Sequence, residues 1–303
     1  MNILKKIIIP FVLIIVLLYT ILSMYITNIA FQPKRNIFEE TPDLYSMNYT
    51  NVSFKSDDSR DINLNGWWIE NEKNTGTIIW VHGLDSERSG GEGKLEMIKE
   101  IYNLGYSILT FDLRGHGNSS DAPLGLGIRE KNDIYGAINY LNKNHNINKI
   151  GLYGISYGGV AVLDAAANNK NESVEIVGIF SDTPYFSITE LLTKEVSDRT
   201  PIPHFIAKLL KFGIIQSGEL LQNMNIEDIE ESMKNVSKID FPMIIISCKN
   251  DQRIPVSHPE RVFSYTKNSR YVAFDYCEDH GEAFESNKEE FMTEFENYFK
   301  NKF

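Results

Sequence analysis

The chain has 303 residues, of which 42% are hydrophobic, 23% charged and 12% aromatic, and this balance excludes bulk disorder, collagen-like repeats and small disulfide-rich proteins. A formal net charge of -11 argues against a nucleic-acid partner, because nucleic-acid phosphates attract basic surfaces. Two cysteines are too few for a disulfide framework or a four-cysteine zinc site.

An apolar leader opens the chain. No residue from Ile7 to Ile26 is charged, and residues 1–35 contain basic side chains but no acidic ones. At a rise of about 1.5 Å per residue this run forms a helix about 30 Å long, which matches the hydrocarbon core of a bilayer. A buried core helix would have to be apolar on every side, so we predict a transmembrane helix within a leader of residues 1–35.

A cleaved signal peptide is the rival interpretation of the leader. Lys5 and Lys6 resemble the basic start of such a peptide, but the apolar run is longer than the usual stretch of roughly 7–15 residues. Asn28 stands where a cleavage site prefers a small residue. We therefore expect an uncleaved signal-anchor that crosses the cell membrane once. Basic residues flank the run on both sides, and the short tail before a long domain favours an extracytoplasmic domain.

The rest of the chain has the pattern of an α/β domain. Residues 36–65 predict a tether and early antiparallel strands, and beyond them short apolar runs alternate with amphipathic helices. This alternation predicts a mainly parallel sheet with helices on both faces. The expected strands lie at 77–83, 106–112, 149–154, 174–180, 242–248 and 270–277, and the expected helices lie at about 95–104, 129–142, 157–168 and 286–301.

The alternation breaks at about residues 184–240. This segment is helix-prone, carries Pro201 and Pro203, and includes the apolar run IAKLLKFGII at 206–215. An insertion between two strands of one sheet is typical of a cap, so we predict one α/β domain at 36–303 with a helical cap.

A possible nucleophile follows the strand predicted at 149–154. The run from Gly154 to Gly158 has the form G-x-S-x-G, and a helix of small residues comes after it, as in a nucleophile elbow. Glycines tolerate the strained serine backbone and the close passage of neighbouring chains. The helix N-terminus would point at an anion that forms beside the Ser156 hydroxyl. A plain glycine-rich strand–helix turn is the alternative.

A serine hydroxyl needs a base, and a histidine after a later strand is expected to provide it. His280 follows the strand at 270–277 and precedes the last helix, so we choose it among six histidines. We place His145 in a polar turn, His204 in the cap and His258 in a loop. A satisfied, non-catalytic histidine is the alternative role for His280.

The acid that orients this base is expected after the preceding strand. Asp251 lies just beyond the strand at 242–248, with Asp279 as the runner-up and a loop-capping role as the alternative. Ser156, Asp251 and His280 then follow the chain order described for this triad geometry. We expect the oxyanion donors to be the backbone N–H groups of Tyr157, which follows the nucleophile, and of Leu84, in the loop after the strand at 77–83.

The chain resembles the α/β-hydrolase superfamily, in particular its membrane-anchored, cap-bearing serine hydrolases related to the serine aminopeptidase, lysophospholipase and acyl-thioesterase branches. The matching stretches are WVHGLDS, LTFDLRGHGNS, GLYGISYGGV, SCKNDQRIP and EDHGEAF, within residues 76–285. The resemblance implies the α/β-hydrolase fold and the same five site residues: Ser156 as nucleophile, Asp251 as acid, His280 as base, and Leu84 and Tyr157 as oxyanion donors. The cap matches none of these branches.

We accordingly predict a serine hydrolase that cleaves an ester, thioester or amide, preferably a lipophilic acyl ester of a small molecule or lipid. A serine aminopeptidase-type peptidase and a non-catalytic binding protein on the same scaffold are the alternatives.

Zinc-protease, calcium-loop and phosphate-loop motifs are missing from the sequence, so we expect neither a metal nor a cofactor. For Cys248 and Cys277, which end two neighbouring strands, a disulfide is geometrically possible, but we expect two buried thiols.

Overall fold

Eight strands form one sheet in the computed structural model, which describes residues 2–37, 39–58 and 60–303, with side chains from residue 6 onward. The order is β1-β2-β4-β3-β5-β6-β7-β8; β1 and β2 run antiparallel to their neighbours and the others are parallel. The mainly parallel sheet predicted from the alternation is therefore confirmed. The strands are β1 Thr50–Lys55, β2 Asn63–Ile69, β3 Gly76–Val81, β4 Tyr106–Phe111, β5 Lys149–Ile155, β6 Glu175–Asp182, β7 Ile244–Cys248 and β8 Arg270–Phe274.

Helices precede, connect and follow these strands along the chain. Their bounds are α1 Asn2–Ala30, α2 Leu95–Asn103, α3 Lys131–His145, α4 Tyr157–Ala167, α5 Ile188–Arg199, α6 His204–Gln222, α7 Asp228–Lys234, α8 Ser257–Ser264, α9 Ala283–Ser286 and α10 Lys288–Phe299.

Two predictions about histidines were wrong. His258 lies in α8 rather than in a loop, because Pro259 falls in the first turn, where a helix tolerates proline. His145 ends α3, and its ring packs on Trp68 with centroids 4.6 Å apart.

An aromatic cluster joins the middle of the sheet to the last long helix. Phe180 of β6 lies with its ring centroid 5.2 Å from Phe291 and 5.3 Å from Phe295, both in α10. Tyr153 of β5 and Trp80 of β3 stack on each other beside Phe180, and all five side chains are buried. Such large rings bury extensive apolar area and restrict how the helix can lie on the sheet. The packing fixes the central strands, whose carboxyl ends carry the predicted site residues.

The chain divides into two compact units. One contains residues 33–186 and 229–303, with the whole sheet, and the other contains residues 1–32 and 187–228, with α1, α5 and α6. The segment predicted as a cap thus contributes helices between β6 and β7. The domain limits expected from sequence, 1–35 and 36–303 with a cap at about 184–240, stay predictions.

The N-terminal helix is long and apolar enough, from Lys6 to Ala30, to cross a membrane by length and composition. The side chain of Lys5 lies outside the described part of the structure. Arg199, the last residue of α5, donates from Nε to the Ala30 carbonyl at 3.1 Å and from Nη2 to the Gln32 carbonyl at 2.6 Å. A cation at the carbonyl end of a helix is favourable for both hydrogen bonding and the helix dipole. Arg199 therefore stabilises the end of α1.

A disulfide joins Cys248 and Cys277, which corrects the expectation of two reduced thiols. Cys248 ends β7, and Cys277 follows the neighbouring parallel strand β8. Their Cα atoms are 5.8 Å apart, within the span that disulfides prefer. The sequence indicated the adjacency, but the choice between thiols and a disulfide depends on the exact approach of the two loops, which no local pattern reports.

Candidate active site

Ser156 stands at a sharp turn between β5 and α4. Its backbone has φ 55° and ψ -111°, a conformation that costs energy in a residue with a side chain. A Cβ atom on Gly158 would lie 2.5 Å from the carbonyl oxygens of Val81 and His82, so only glycine lets α4 begin this close to β3. The two glycines of the motif therefore allow the turn, and the turn places the serine at the carboxyl edge of the sheet.

The structure brings Ser156, His280 and Asp251 together in one chain of hydrogen bonds. His280 Nε2 lies 2.8 Å from Ser156 Oγ, and His280 Nδ1 lies 2.7 Å from Asp251 Oδ2. The second oxygen of Asp251 accepts the backbone N–H groups of Arg253 at 2.8 Å and Ile254 at 2.9 Å. With an ionised carboxylate at Nδ1, that nitrogen carries the proton and Nε2 is free to accept one. In this arrangement the Ser156 hydroxyl can transfer its proton to Nε2 of His280.

Opposing effects set the charge of Asp251. Burial favours the neutral acid, but the hydrogen bond and charge of His280, together with the two backbone donors, outweigh it and lower the pKa of Asp251 below its usual value. The runner-up acid, Asp279, is exposed, and its carboxylate accepts the backbone N–H of His280 at 2.7 Å rather than a ring nitrogen. Asp251 is thus the acid in contact with the imidazole ring.

The two predicted oxyanion donors lie in segments that meet beside Ser156. Tyr157 is the first residue of α4, where backbone N–H groups have no partner within the helix. A Cβ atom on Gly83, the neighbour of Leu84, would lie 3.8 Å from Cβ of Ser156, so this loop passes directly over the serine. An anion at this position would meet the positive end of the α4 dipole.

Two buried histidines hold the loop that carries Leu84. His82 Nε2 accepts the Leu113 N–H at 3.0 Å and its Nδ1 lies 2.7 Å from the Gly83 carbonyl, while burial, with the nearby His116, lowers the pKa of His82 well below its usual value. His116 Nε2 in turn accepts the N–H of Asp85 at 3.2 Å. These contacts position the backbone around Leu84, so His82 and His116 have a structural role beside the site.

The residues that follow α1 also reach this loop, which sequence reasoning missed. The Lys34 N–H donates to the Asp85 carboxylate at 2.8 Å, and the Asn36 side chain donates to the Asp85 carbonyl at 2.7 Å. Arg35 donates to the Ser119 carbonyl at 2.8 Å. Residues 34–36 are therefore docked on the loops around the site. No periodicity in the sequence could indicate these contacts between distant segments.

Asn250 connects the loop of the acid to the loop of the base, and it was also missed. Its Nδ2 donates to the Cys277 carbonyl at 2.7 Å, and its Oδ1 accepts the Cys277 N–H at 2.9 Å. With the Cys248–Cys277 disulfide, these bonds set the separation of Asp251 and His280. The only signal in the sequence is the position of Asn250 beside Asp251, which is too general to predict a role.

Replacing Asn250 with alanine should lower kcat by about 10- to 100-fold with little change in KM, because small displacements of reacting groups are costly. Steady-state hydrolysis of a p-nitrophenyl ester would measure both constants. Gln252→Ala is the matched control, since this exposed side chain bonds only the Asn250 carbonyl among the contacts described. An unchanged kcat in Asn250→Ala would contradict a positioning role.

A second buried carboxylate lies next to the serine turn. The backbone carbonyl of Asp182 accepts the Ser156 N–H at 2.7 Å, and its side chain accepts hydrogen bonds from Thr183 at 2.8 Å and Tyr153 at 3.3 Å. Burial raises the pKa of Asp182 to about 6, although the Thr183 hydrogen bond and the charge of Lys94 oppose the shift. The folded protein thus binds this proton more tightly than the unfolded chain does.

Asp182→Asn should therefore stabilise the protein in a pH-dependent way. Because the native pKa is raised, Asp182 reduces the free energy of unfolding as pH increases from about 4 to about 6, by up to about 3 kcal/mol. The variant should have a higher Tm than the parent at pH 8 and nearly the same Tm at pH 4, measured by thermal unfolding in detergent. Equal shifts at both pH values would disprove the linkage, and exposed Asp275→Asn should show no gain at pH 8.

Within the described residues, no group of three His, Cys, Asp or Glu side chains is arranged to hold a metal ion. Part of the chain is similar to a known protein family. Residues 72–216 match the family described as serine aminopeptidase, S33. This stretch includes the serine turn and the loop of Leu84 but ends before Asp251 and His280.

Three similar proteins add to this match. A membrane protein of Saccharomyces cerevisiae, YNL320W, is 24% identical over 78% of this chain and 75% of its own length. The mouse lysophosphatidylserine lipase ABHD12 is 22% identical over 67% of this chain and 49% of its own length. The solved esterase Pf2001 of Pyrococcus furiosus superposes with a TM-score of 0.71 at 21% identity, over 88% of this chain and 98% of the esterase. The chain therefore has the α/β-hydrolase fold, and its residues 72–216 are similar to the family described as serine aminopeptidase, S33.

Proposed function

We propose that this hydrolase is a membrane-anchored serine esterase that cleaves a lipophilic acyl ester through an acyl-enzyme on Ser156. The observation that supports it is the hydrogen-bond chain from Ser156 Oγ through His280 to the buried carboxylate of Asp251. A binding protein would gain nothing from aligning a strained serine, an imidazole and an acid in this order.

In the first half-reaction Ser156 Oγ attacks the carbonyl carbon of the ester, and His280 Nε2 takes the hydroxyl proton. Asp251 holds the ring in the tautomer that can accept this proton and stabilises the imidazolium that results. The tetrahedral intermediate carries a negative oxygen, which the backbone N–H groups of Leu84 and Tyr157 would stabilise by about 3–4 kcal/mol each. His280 then gives its proton to the leaving alcohol as the ester bond breaks.

The second half-reaction releases the acid. A water molecule loses a proton to His280 Nε2 and attacks the acyl carbon, and the second tetrahedral intermediate uses the same backbone donors. Its collapse returns the proton to Ser156 Oγ and frees the carboxylic acid. The residues need no metal or cofactor for this chemistry.

A lipophilic acyl group is the substrate that the composition of the chain favours. The buried aromatic residues Tyr185 and Phe186 precede the inserted helices, the proposed anchor would keep the site near lipid, and one relative is named a lysophosphatidylserine lipase. A panel of p-nitrophenyl esters from acetyl to palmitoyl should show higher kcat/KM for the longer chains. No preference among chain lengths would remove this part of the proposal.

The anchoring and its sidedness belong to the same proposal. Helix α1 would cross the membrane at about residues 7–26, and the catalytic body would lie outside the cytoplasm. The Cys248–Cys277 disulfide supports this side, because disulfides persist in oxidising compartments. An added protease should digest the body from the surface of intact cells; protection from it would place the body inside.

A fluorophosphonate probe tests the nucleophile, since it reacts with serines activated in this way. The full-length protein in detergent should be labelled, Ser156→Ala should not be labelled, and Ser86→Ala, which changes a serine of the neighbouring loop, should keep the label. Absence of labelling in folded wild-type protein would favour a non-catalytic scaffold.

A peptidase is the second candidate, and the match to the family described as serine aminopeptidase, S33, supports it. The same three residues would cleave an amide, with His280 protonating the leaving amine. Aminoacyl p-nitroanilides compared with acyl p-nitrophenyl esters at equal concentration separate the two. Efficient release of p-nitroaniline, with slow ester cleavage, would decide for the peptidase.

A further inference from the structure

Helix α6 has two apolar faces, and only one of them is covered. The covered face contains the buried side chains of Ala207, Leu210 and Ile214. On the other face, Phe205 is 64% exposed, Leu209 71% and Phe212 71%. Their spacing of four and three residues puts them side by side on the helix. We call these three side chains the α6 apolar face.

The covered face of α6 packs against the second half of α1. The Tyr19 hydroxyl accepts the Gly213 N–H at 3.0 Å and lies 3.4 Å from the Leu209 carbonyl, to which it donates. These are the two groups that an uninterrupted helix pairs with each other, so the tyrosine is inserted into the backbone ladder of α6. Further along, Thr27 Oγ1 donates to the Ile214 carbonyl at 3.2 Å. The absence of a side chain on Gly213 makes room for Ser23.

These contacts fix the depth of α6 relative to α1. If the hydrocarbon core covers residues 7–26, Tyr19 lies seven residues before its edge, or about 10 Å inside at the helical rise. Gly213 also packs on Ser23, which lies three residues or about 5 Å before the edge, so Leu209 and Gly213 lie about 5–10 Å inside it. Thr27, which bonds the Ile214 carbonyl, lies just beyond the edge. Gly218, by contrast, packs on Phe31, which is beyond that edge. One end of α6 therefore reaches into the lipid layer and the other leaves it.

We propose that the α6 apolar face is embedded among the acyl chains of the leaflet next to the catalytic body, so that the protein holds the bilayer by two elements. This inference rests on the proposed anchoring by α1. The apolar side chains of α1 from Ile7 to Leu18 are largely exposed as well. An amphipathic helix embedded by about 5–10 Å is a common interfacial arrangement. Lys208 and Lys211 flank the face and can extend their amines to headgroups.

Site-specific fluorescence in vesicles tests the depth. Full-length variants Leu209→Cys, Leu220→Cys and Ile15→Cys would be labelled with an environment-sensitive dye, the two native cysteines being joined to each other. Leu220 is the matched control: it is leucine, lies on the same helix and is 73% exposed, but stands beyond Gly218. The vesicles contain phosphatidylcholine and phosphatidylglycerol, with a nitroxide-labelled lipid as the membrane quencher and iodide as the aqueous quencher.

We expect the nitroxide lipid to quench the dye at 209 several-fold more strongly than at 220, and iodide to show the reverse order. Equal access of iodide to both positions would overturn the inference. Shielding of 209 from both quenchers would also overturn it, because a second copy of the chain would then cover the face. The dye at 15 reports α1 alone: if lipid quenches 15 but not 209, the anchoring stands and only this inference fails. Hydrolysis of a water-soluble ester checks that each labelled protein is folded.

Discussion

Replacing His280 with alanine should lower kcat by about 10⁴- to 10⁶-fold, with a much smaller change in KM. The imidazole lies 2.8 Å from Ser156 Oγ, and among the described residues it is the side chain placed to take the hydroxyl proton. Without it the serine must lose its proton to water, while binding and the oxyanion donors remain. Pre-steady-state and steady-state hydrolysis of a p-nitrophenyl ester would measure the loss.

A variant that lacks both Ser156 and His280 tests whether the two residues act together. Because Ser156 and His280 act as one unit, Ser156→Ala combined with His280→Ala should be about as slow as either single variant. His145→Ala is the control, since this ring packs on Trp68 and makes no contact with the triad among its described partners. Effects that multiply in the double variant, or a His280→Ala enzyme within tenfold of wild type, would be incompatible with the proposed mechanism.

Local sequence patterns predicted the elements that support the site. Strand β4 is observed at Tyr106–Phe111 where 106–112 was predicted, and helix α4 at Tyr157–Ala167 where 157–168 was predicted. Apolar runs and helical periodicity are properties of neighbouring residues, so a single sequence contains them. Parallel strands of one sheet have their carboxyl ends at the same edge, which brings the ends of β5, β7 and β8 together.

Other features depend on contacts between distant residues, which no pattern among neighbouring residues indicates. The hydrogen bonds of Asn250 to the backbone of Cys277 involve a common side chain in a loop, and nothing in the spacing distinguishes it from other asparagines. Helix α8 stands where a loop was predicted around His258, since proline, here Pro259, is tolerated in the first turn of a helix. The pairing of α1 with α6 joins residues almost two hundred positions apart. The catalytic roles themselves stay predictions until variants are measured.

Asp251→Asn should lower kcat by about 10⁴-fold at neutral pH while leaving the fold intact. The asparagine can still accept the N–H groups of Arg253 and Ile254 through its Oδ1. Its amide nitrogen, however, would donate to Nδ1 of His280 and shift the ring proton to Nε2. That tautomer cannot accept the proton of Ser156, so the nucleophile is no longer activated.

The pH profile separates this role from a general loss of structure. Because the pKa of Asp251 is lowered in the folded protein, its carboxylate stays charged through the mildly acidic range, so protonation of Asp251 should not limit kcat/KM of the wild type there. The Asp251→Asn enzyme should regain activity as pH rises, since hydroxide can replace the missing base, whereas an unfolded variant would not. Asp279→Asn is the matched control: its carboxylate bonds the His280 backbone, and its kcat should stay within a few-fold of wild type. A large loss in Asp279→Asn with an active Asp251→Asn would reverse the assignment of the acid.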